Sequence, residues 1–310
     1  MSRDFTPDLN QFREAARGPR ELLRPSRDAR PGTERTREET PLLESRTADV
    51  REPRPKEVPS RDSRAVLYDR YRSYDLRESE IQTLTDLGKF RVINASDLAR
   101  HGYGGDKGRM KQETERLVRQ GLVEEKQVDV SLSKSTRMYT LTRAGRRLMQ
   151  KSGRLPQDQE IYAGFVKPRE AKHDAELYRV YQKEEDRIER RGGRVRRVLL
   201  DFELKKKVNR DLTRLGLQKD DPDKKHDVAE RHGLRVVHGR IPVPDLQIEY
   251  EMPDQSMARV NLELTTGDYR PRQLADKAQA GFTLYSHGDD ASHVRRVLSD
   301  RELTAEILSL

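Results

Sequence analysis

Between Leu76 and Leu141 the apolar residues change period once, and few folds accommodate the order in which they do so. Ile81, Leu84 and Leu87 recur at three-residue steps, which predicts an amphipathic helix ended by Gly88. Asn94 then offers a side-chain cap, with Asp97 three positions on, to a helix that buries Leu98 and Ala99 and stops at Gly102. After the turn Gly102-Tyr103-Gly104-Gly105, Asp106 caps a third helix reaching about Gln120. Met110, Leu117 and Val118 fall at i, i+7 and i+8 and predict its buried stripe. From Leu122 the pattern alternates as far as Val130, passes a polar turn over Ser131 to Thr136 and continues over Arg137 to Leu141. Two strands around a polar turn make a hairpin.

Charge is concentrated on the same stretch. The 310 residues carry a net +9, and residues 76–151 supply +6 of it from 16 basic and 10 acidic side chains. An excess on one quarter of a chain is the footprint expected where that quarter meets phosphate. Three helices followed by a hairpin resemble the winged helix-turn-helix, and GLVEEKQVDV with RMYTLTRAGRRL is similar to the wing and closing helix of bacterial winged-helix regulators. The resemblance implies double-stranded DNA as partner. Lys107, Arg109, Lys111, Arg116 and Arg119 of the third helix would enter the major groove, and Lys134 and Arg137 of the wing would approach the backbone. A merely solvated basic face is the plainer reading of the same charges. Winged helices commonly read two half-sites, which points to a homodimer, although no coiled-coil heptad is present.

Other classes are closed by composition. Residues 1–64 hold 8 of the 15 prolines with 15 basic and 13 acidic side chains, which predicts a disordered, charged arm. No stretch approaches the roughly 20 apolar residues that span a bilayer, and the arm lacks the apolar segment of a secretory signal. No membrane partner and a cytoplasmic location are therefore expected. Without cysteine there is no disulfide, thiolate zinc site or cysteine nucleophile.

Residues 160–310 predict a separate α/β domain. A helix over about Arg169 to Arg191 precedes a strand Val195 to Leu200, charged helical material from Phe202 to His232, and strand-like runs Leu234 to His238, Asp245 to Tyr250 and Ala258 to Leu264. A helix opening at Pro271 would present Leu274, Ala278, Phe282 and Tyr285, before a last strand near Val294 to Leu298 and a last helix from Arg301. His226 and His232 lack partner acids at metal-ligand spacing.

Within this half, VPDLQIEYE, NLELTTGDYR and the helix carrying Lys277 resemble the PD-(D/E)XK nucleases, a restriction-endonuclease-like mixed sheet. That likeness implies Asp245 and Glu263 as ligands of Mg²⁺, Lys277 as the basic residue beside the attacking water, and Glu176 as a third acid. Thr265 stands where the lysine of the Glu-x-Lys motif belongs. With AKHDAELYRVY and LLDFELKKKV, and a winged helix in front, residues 76–290 resemble the replication-relaxation family of plasmid and mobile-element proteins. His173, Asp174, Glu203, Asp245, Glu263 and Lys277 match that family's polar pattern. The family implies a role in plasmid replication or DNA relaxation, with replication or mobilisation proteins as further partners. Plainer readings stand beside these: Pro-Asp suits any strand start, Glu263 fits solvated alternation, Lys277 and Glu176 fit surface charges, and His173 fits a local pair with Glu176. A winged-helix transcriptional regulator with a C-terminal dimerisation or sensing domain, and an active Mg²⁺-dependent endonuclease, are the competing functions.

Overall fold

A computed structural model describes residues 63–310 apart from 71, 132–133, 216–221 and 267–268. The arm expected over residues 1–64 therefore lies outside the described residues except for its last two. Arg64 already belongs to a hairpin that the sequence pattern does not announce, β1 (Arg64–Asp69) antiparallel to β2 (Arg72–Arg77). Helix α1 (Glu78–Lys89) follows at once, its first turn closed by the Arg77 amide donating to Glu80 Oε2 at 2.8 Å.

Next come β3 (Ile93–Asn94), a short α2 (Ala95–Asp97) running into a π-helical turn (Leu98–Gly102), and α3 (Lys107–Arg119). The caps are those the sequence predicts: Asn94 accepts from the Ser96 amide and Asp106 from the Arg109 amide, each at 2.9 Å. Asp97 differs, because its carboxylate leaves the helix start to meet Arg179. Val118 is also more exposed than its stripe implies, at 36%. The wing is β4 (Val123–Ser131) and β5 (Lys134–Leu141), and the sheet order β3-β5-β4 inserts β5 between its partners. Helix α4 (Arg143–Lys151) closes the segment. Its Gly145 is obligatory by contact, since a Cβ there would lie 2.2 Å from the Leu122 carbonyl oxygen. Helix, strand, helix, helix, hairpin in this order is the winged helix-turn-helix topology.

The second half is built on a five-stranded sheet of order β10-β9-β8-β7-β6. Its strands are β6 (Arg194–Leu200), β7 (Leu246–Glu251), β8 (Met257–Thr265), β9 (Thr283–Ser286) and β10 (Ile307–Ser309). Strands β6 to β8 are antiparallel, while β8, β9 and β10 run parallel, which makes the sheet mixed. Alternation along the strands sends side chains to two cores: Val198, Leu200, Ile248, Leu262 and Tyr285 to one face, Leu199 and Leu284 to the other. The long α5 (Pro168–Arg190) covers the first face. Helices α6 (Asp201–Arg214), α7 (Pro222–Arg231), α8 (Pro271–Gln279) and α9 (Gly288–Ser299) feed the second core.

Several expected elements change type. Val294 to Leu298 lies inside α9 and is not a strand, and the chain beyond Arg301 reaches β10 instead of a helix. Ala291, Val294, Val297 and Leu298 are spaced for a helix, and a short apolar run alone does not separate the two. Tyr285 stands on β9, since Gly281, at φ +79°, has already ended α8. Leu234 to His238 contributes only the bridge between Val237 and Arg240.

The winged segment and the sheet share one apolar core, in which Leu84, Phe90 and Leu141 lie with Tyr178, Val198 and Leu264. Phe90 meets the ring of Tyr178 edge-on at 5.3 Å, and the Tyr178 hydroxyl donates to Asp86 Oδ2 at 3.2 Å. No described helix is long and apolar enough to cross a membrane.

Candidate functional site

The basic side chains of α3 divide into two groups. Lys107, Lys111 and Arg119 are exposed, with Lys111 loosely paired to Glu115 at 3.9 Å. Arg109 instead pairs with Glu113 on its own helix, and Arg116 turns toward Glu80 of α1. Arg109 Nε lies 3.0 Å from Glu113 Oε1, Arg116 Nε 3.3 Å from Glu80 Oε1, and Arg77 Nη1 3.2 Å from Glu113 Oε1. Glu80 and Glu113 are both fully buried, and Ser79 Oγ donates to Glu113 Oε2 at 2.6 Å. Two of the cations expected to reach DNA thus balance buried carboxylates behind the helix. On the wing, Arg137 Nε stands 3.0 Å from Glu125 Oε1, and Lys134 is the first residue of β5.

A second constellation opens where the β7 and β8 strands begin and end, in a cavity of about 530 Å³ lined by Asp245, Glu263, Tyr269 and Lys277, with Lys205 and Arg240 at its wall. Glu263 is almost completely buried on β8. Lys277 Nζ reaches its Oε1 at 2.7 Å, the Tyr269 hydroxyl donates to Oε1 at 2.9 Å, and the Asp245 amide donates to Oε2 at 3.1 Å. Lys277 also donates to the Val243 carbonyl at 2.8 Å. Asp245 Oδ2 accepts from the Leu264 amide at 3.0 Å and faces His173 Nε2 of α5 at 3.4 Å. His173 Nδ1 lies 3.5 Å from Asp174, and Asp174 in turn meets Arg91 of the winged segment at 3.1 Å.

Asp245, Glu263, Lys277 and His173 are therefore brought together. Glu263 is not a solvated strand residue, Lys277 is not a surface charge, and His173 does not pair with Glu176. Glu176 faces His287 at 3.4 Å instead, and Glu203 forms its own cluster with Arg197 and Lys207, each at 2.7 Å. His232 lies 2.9 Å from Asp211.

Mg²⁺ is the cofactor implied by the PD-(D/E)XK likeness, and the residues present do not fit it. Hard divalent cations need about six oxygen ligands. Here both oxygens of Glu263 already accept from Lys277, Tyr269 and the Asp245 amide, and an ammonium occupies the position of a counter-ion. Among the described residues no three His, Asp or Glu side chains converge closely enough to hold a metal.

Burial, reinforced by the charge of Asp245, pushes the Glu263 carboxyl up to about 7 against the pull of Lys277. Pairing with Asp174 and Asp245 raises the His173 imidazole to about 10. Both groups hold protons more tightly folded than unfolded. The stability Glu263 contributes is full below its unfolded value near 4.5 and lost as pH rises through 7, while that of His173 is full below 6.5 and lost through about 10. The midpoint of thermal unfolding is thus expected to fall steadily between pH 5 and pH 10, and His173→Asn to flatten the limb above pH 7. A profile with equal slope in both proteins would show that His173 carries no linked proton.

Neither a known protein family nor a curated protein matches the sequence. Among solved structures, that of Bacillus subtilis PadR in complex with operator DNA is similar over 49% of this chain and 92% of its own, at 14% identity and a TM-score of 0.20. So loose a likeness carries neither fold nor function, and the winged-helix description rests on the element order and the β3-β5-β4 sheet.

Proposed function

We propose that this chain binds duplex DNA through α3 and the wing, as a DNA-binding protein of a plasmid or mobile element acting in replication, relaxation or processing. The observation that carries the reading is the row of exposed cations, Lys107, Lys111 and Arg119, on the third helix of a helix-turn-helix followed by a hairpin. Arg116 ties that helix to Glu80 of α1 and Arg109 is engaged by Glu113, which leaves DNA binding to the other three. The mixed sheet is read as PD-(D/E)XK-like, with Lys277 supplying from α8 the basic residue that Thr265 lacks. That reading is supported by the 2.7 Å approach of Lys277 to Glu263. Its pocket, walled by Lys205 and Arg240, suits a phosphodiester as a second point of attachment. Replication or mobilisation proteins, and a homodimer on paired half-sites in the cytoplasm, belong to the same proposal.

The test is binding to supercoiled plasmid and to a 30-bp duplex, in Mg²⁺ or EDTA. The protein is expected to shift both and to leave the plasmid intact. Lys107→Ser, Lys111→Ser and Arg119→Ser together should weaken duplex binding at least tenfold and lower the salt slope by about 0.9 for each phosphate that is no longer neutralised. Unchanged affinity in the triple variant would remove the reading. Metal-dependent nicking abolished by Asp245→Asn would replace its second half with an active endonuclease.

A further inference from the structure

Another cleft lies elsewhere, a cavity of about 770 Å³ between the π-helical turn after α2 and the C-terminal half of α5. Arg179, Lys183, Arg187 and Arg190 line it from α5 at helical spacing, and Arg100 faces them from the helix-turn-helix. Their charges are unevenly balanced. Arg179 grips Asp97 through three hydrogen bonds of 3.0–3.2 Å, and Arg187 pairs with Glu184 and Glu306. Lys183 donates to a carbonyl, that of Ser309 at 2.7 Å. Arg100 and Arg190 are exposed and have no partner among the described residues. Asp97 and Asp186 are the acids of the wall, and both already have partners. Burial, together with the positive charges of Arg100 and Arg179, holds the Lys183 ammonium below its ordinary range.

We propose that this cleft binds a phosphate group, held between Arg100 on one side and Lys183 and Arg190 on the other. Guanidinium forks grasp phosphate oxygens in pairs and an ammonium adds a third donor direction. The volume falls within the range of small-ligand sites. The phosphate arrives on a free nucleotide or in a nucleic-acid backbone, and either would tie the helix-turn-helix to α5. The site is distinct from α3, so it does not depend on DNA binding there.

The test uses the full chain and the double variant Arg100→Ser/Arg190→Ser, both at exposed positions that spare the core. Inorganic phosphate and ADP, at about ten times their dissociation constants, are expected to raise the unfolding midpoint of the wild type by about 3–5 °C and that of the variant by less than 1 °C. If the phosphate belongs to DNA, those two probes will have no effect and the salt slope for a 30-bp duplex will fall by about two in the variant. The α3 triple variant separates the two sites, because it leaves the phosphate and ADP shifts unchanged. No shift with either probe and an unchanged salt slope would overturn the proposal.

Discussion

Glu113→Ala is expected to destabilise the fold by about 3 kcal/mol, although glutamate on a helix of this composition reads as a solvated residue. Its carboxylate is fully buried beneath α3 and gathers Arg77, Arg109 and the Ser79 hydroxyl within 3.2 Å. Burial alone would raise its pKa, but the Ser79 hydrogen bond and Arg109 more than offset that and hold the carboxyl below its ordinary range. Removing it takes a buried carboxylate acceptor away from both Arg77 and Arg109, beside a second buried acid, Glu80, whose Oε1 lies 3.3 Å from Arg116 Nε. The loss is expected as a lower urea midpoint with an unchanged slope. Glu115→Ala, on the outer face of the same helix, should change stability by less than about 0.5 kcal/mol. Because Glu113 links α3 to Arg77 and Ser79, duplex affinity should fall with stability even though no DNA-facing cation has been altered. A loss under about 1 kcal/mol would mean that the arginines relax to water and that the network does not hold α3 in place.

How far that network was legible depends on which pattern is followed. Met110, Glu113, Thr114 and Leu117 stand at i, i+3, i+4 and i+7, and all four are buried. The stripe was therefore visible in the spacing, yet an apolar reading skips its two polar members and takes Val118 in their place. Caps, the turn before α3 and the hairpin were legible because each is local, fixed by neighbours within a few residues. The pairings that build the pocket are not local. His173 and Asp245 are separated by 72 positions and meet only because α5 crosses the sheet beside the start of β7. Arg91 reaches Asp174 for the same reason, across the join of the two halves. The C-terminal elements exchanged types because Phe282 to Ser286 is buried throughout, so it shows no alternation, while the apolar run Val294 to Leu298 within α9 is short enough to resemble a strand.

Lys277→Met should be the most damaging change at the pocket, costing about 3–5 kcal/mol at pH 8. The substitution keeps the length of the side chain and removes the ammonium 2.7 Å from Glu263, leaving that buried carboxylate beside Asp245 with, among the described residues, Tyr269 and a backbone amide to stabilise its charge. The cost is expected to shrink at pH 5, because a carboxyl already displaced toward 7 by burial and by Asp245 moves further in the same direction once Lys277 is gone, and protonation removes the unbalanced charge. Glu263→Gln added to Lys277→Met should restore most of the stability at pH 8 and abolish the pH dependence of the difference, a coupling that unfolding midpoints of the four proteins measure directly. Magnesium supplies a further discrimination. If Lys277 is the counter-ion of this site, Mg²⁺ leaves the wild-type midpoint unchanged and raises that of Lys277→Met, whose two carboxylates have lost their cation. A wild-type midpoint that rises with Mg²⁺ would instead show that the ammonium gives way to a metal, and Asp245 and Glu263 would then be its ligands.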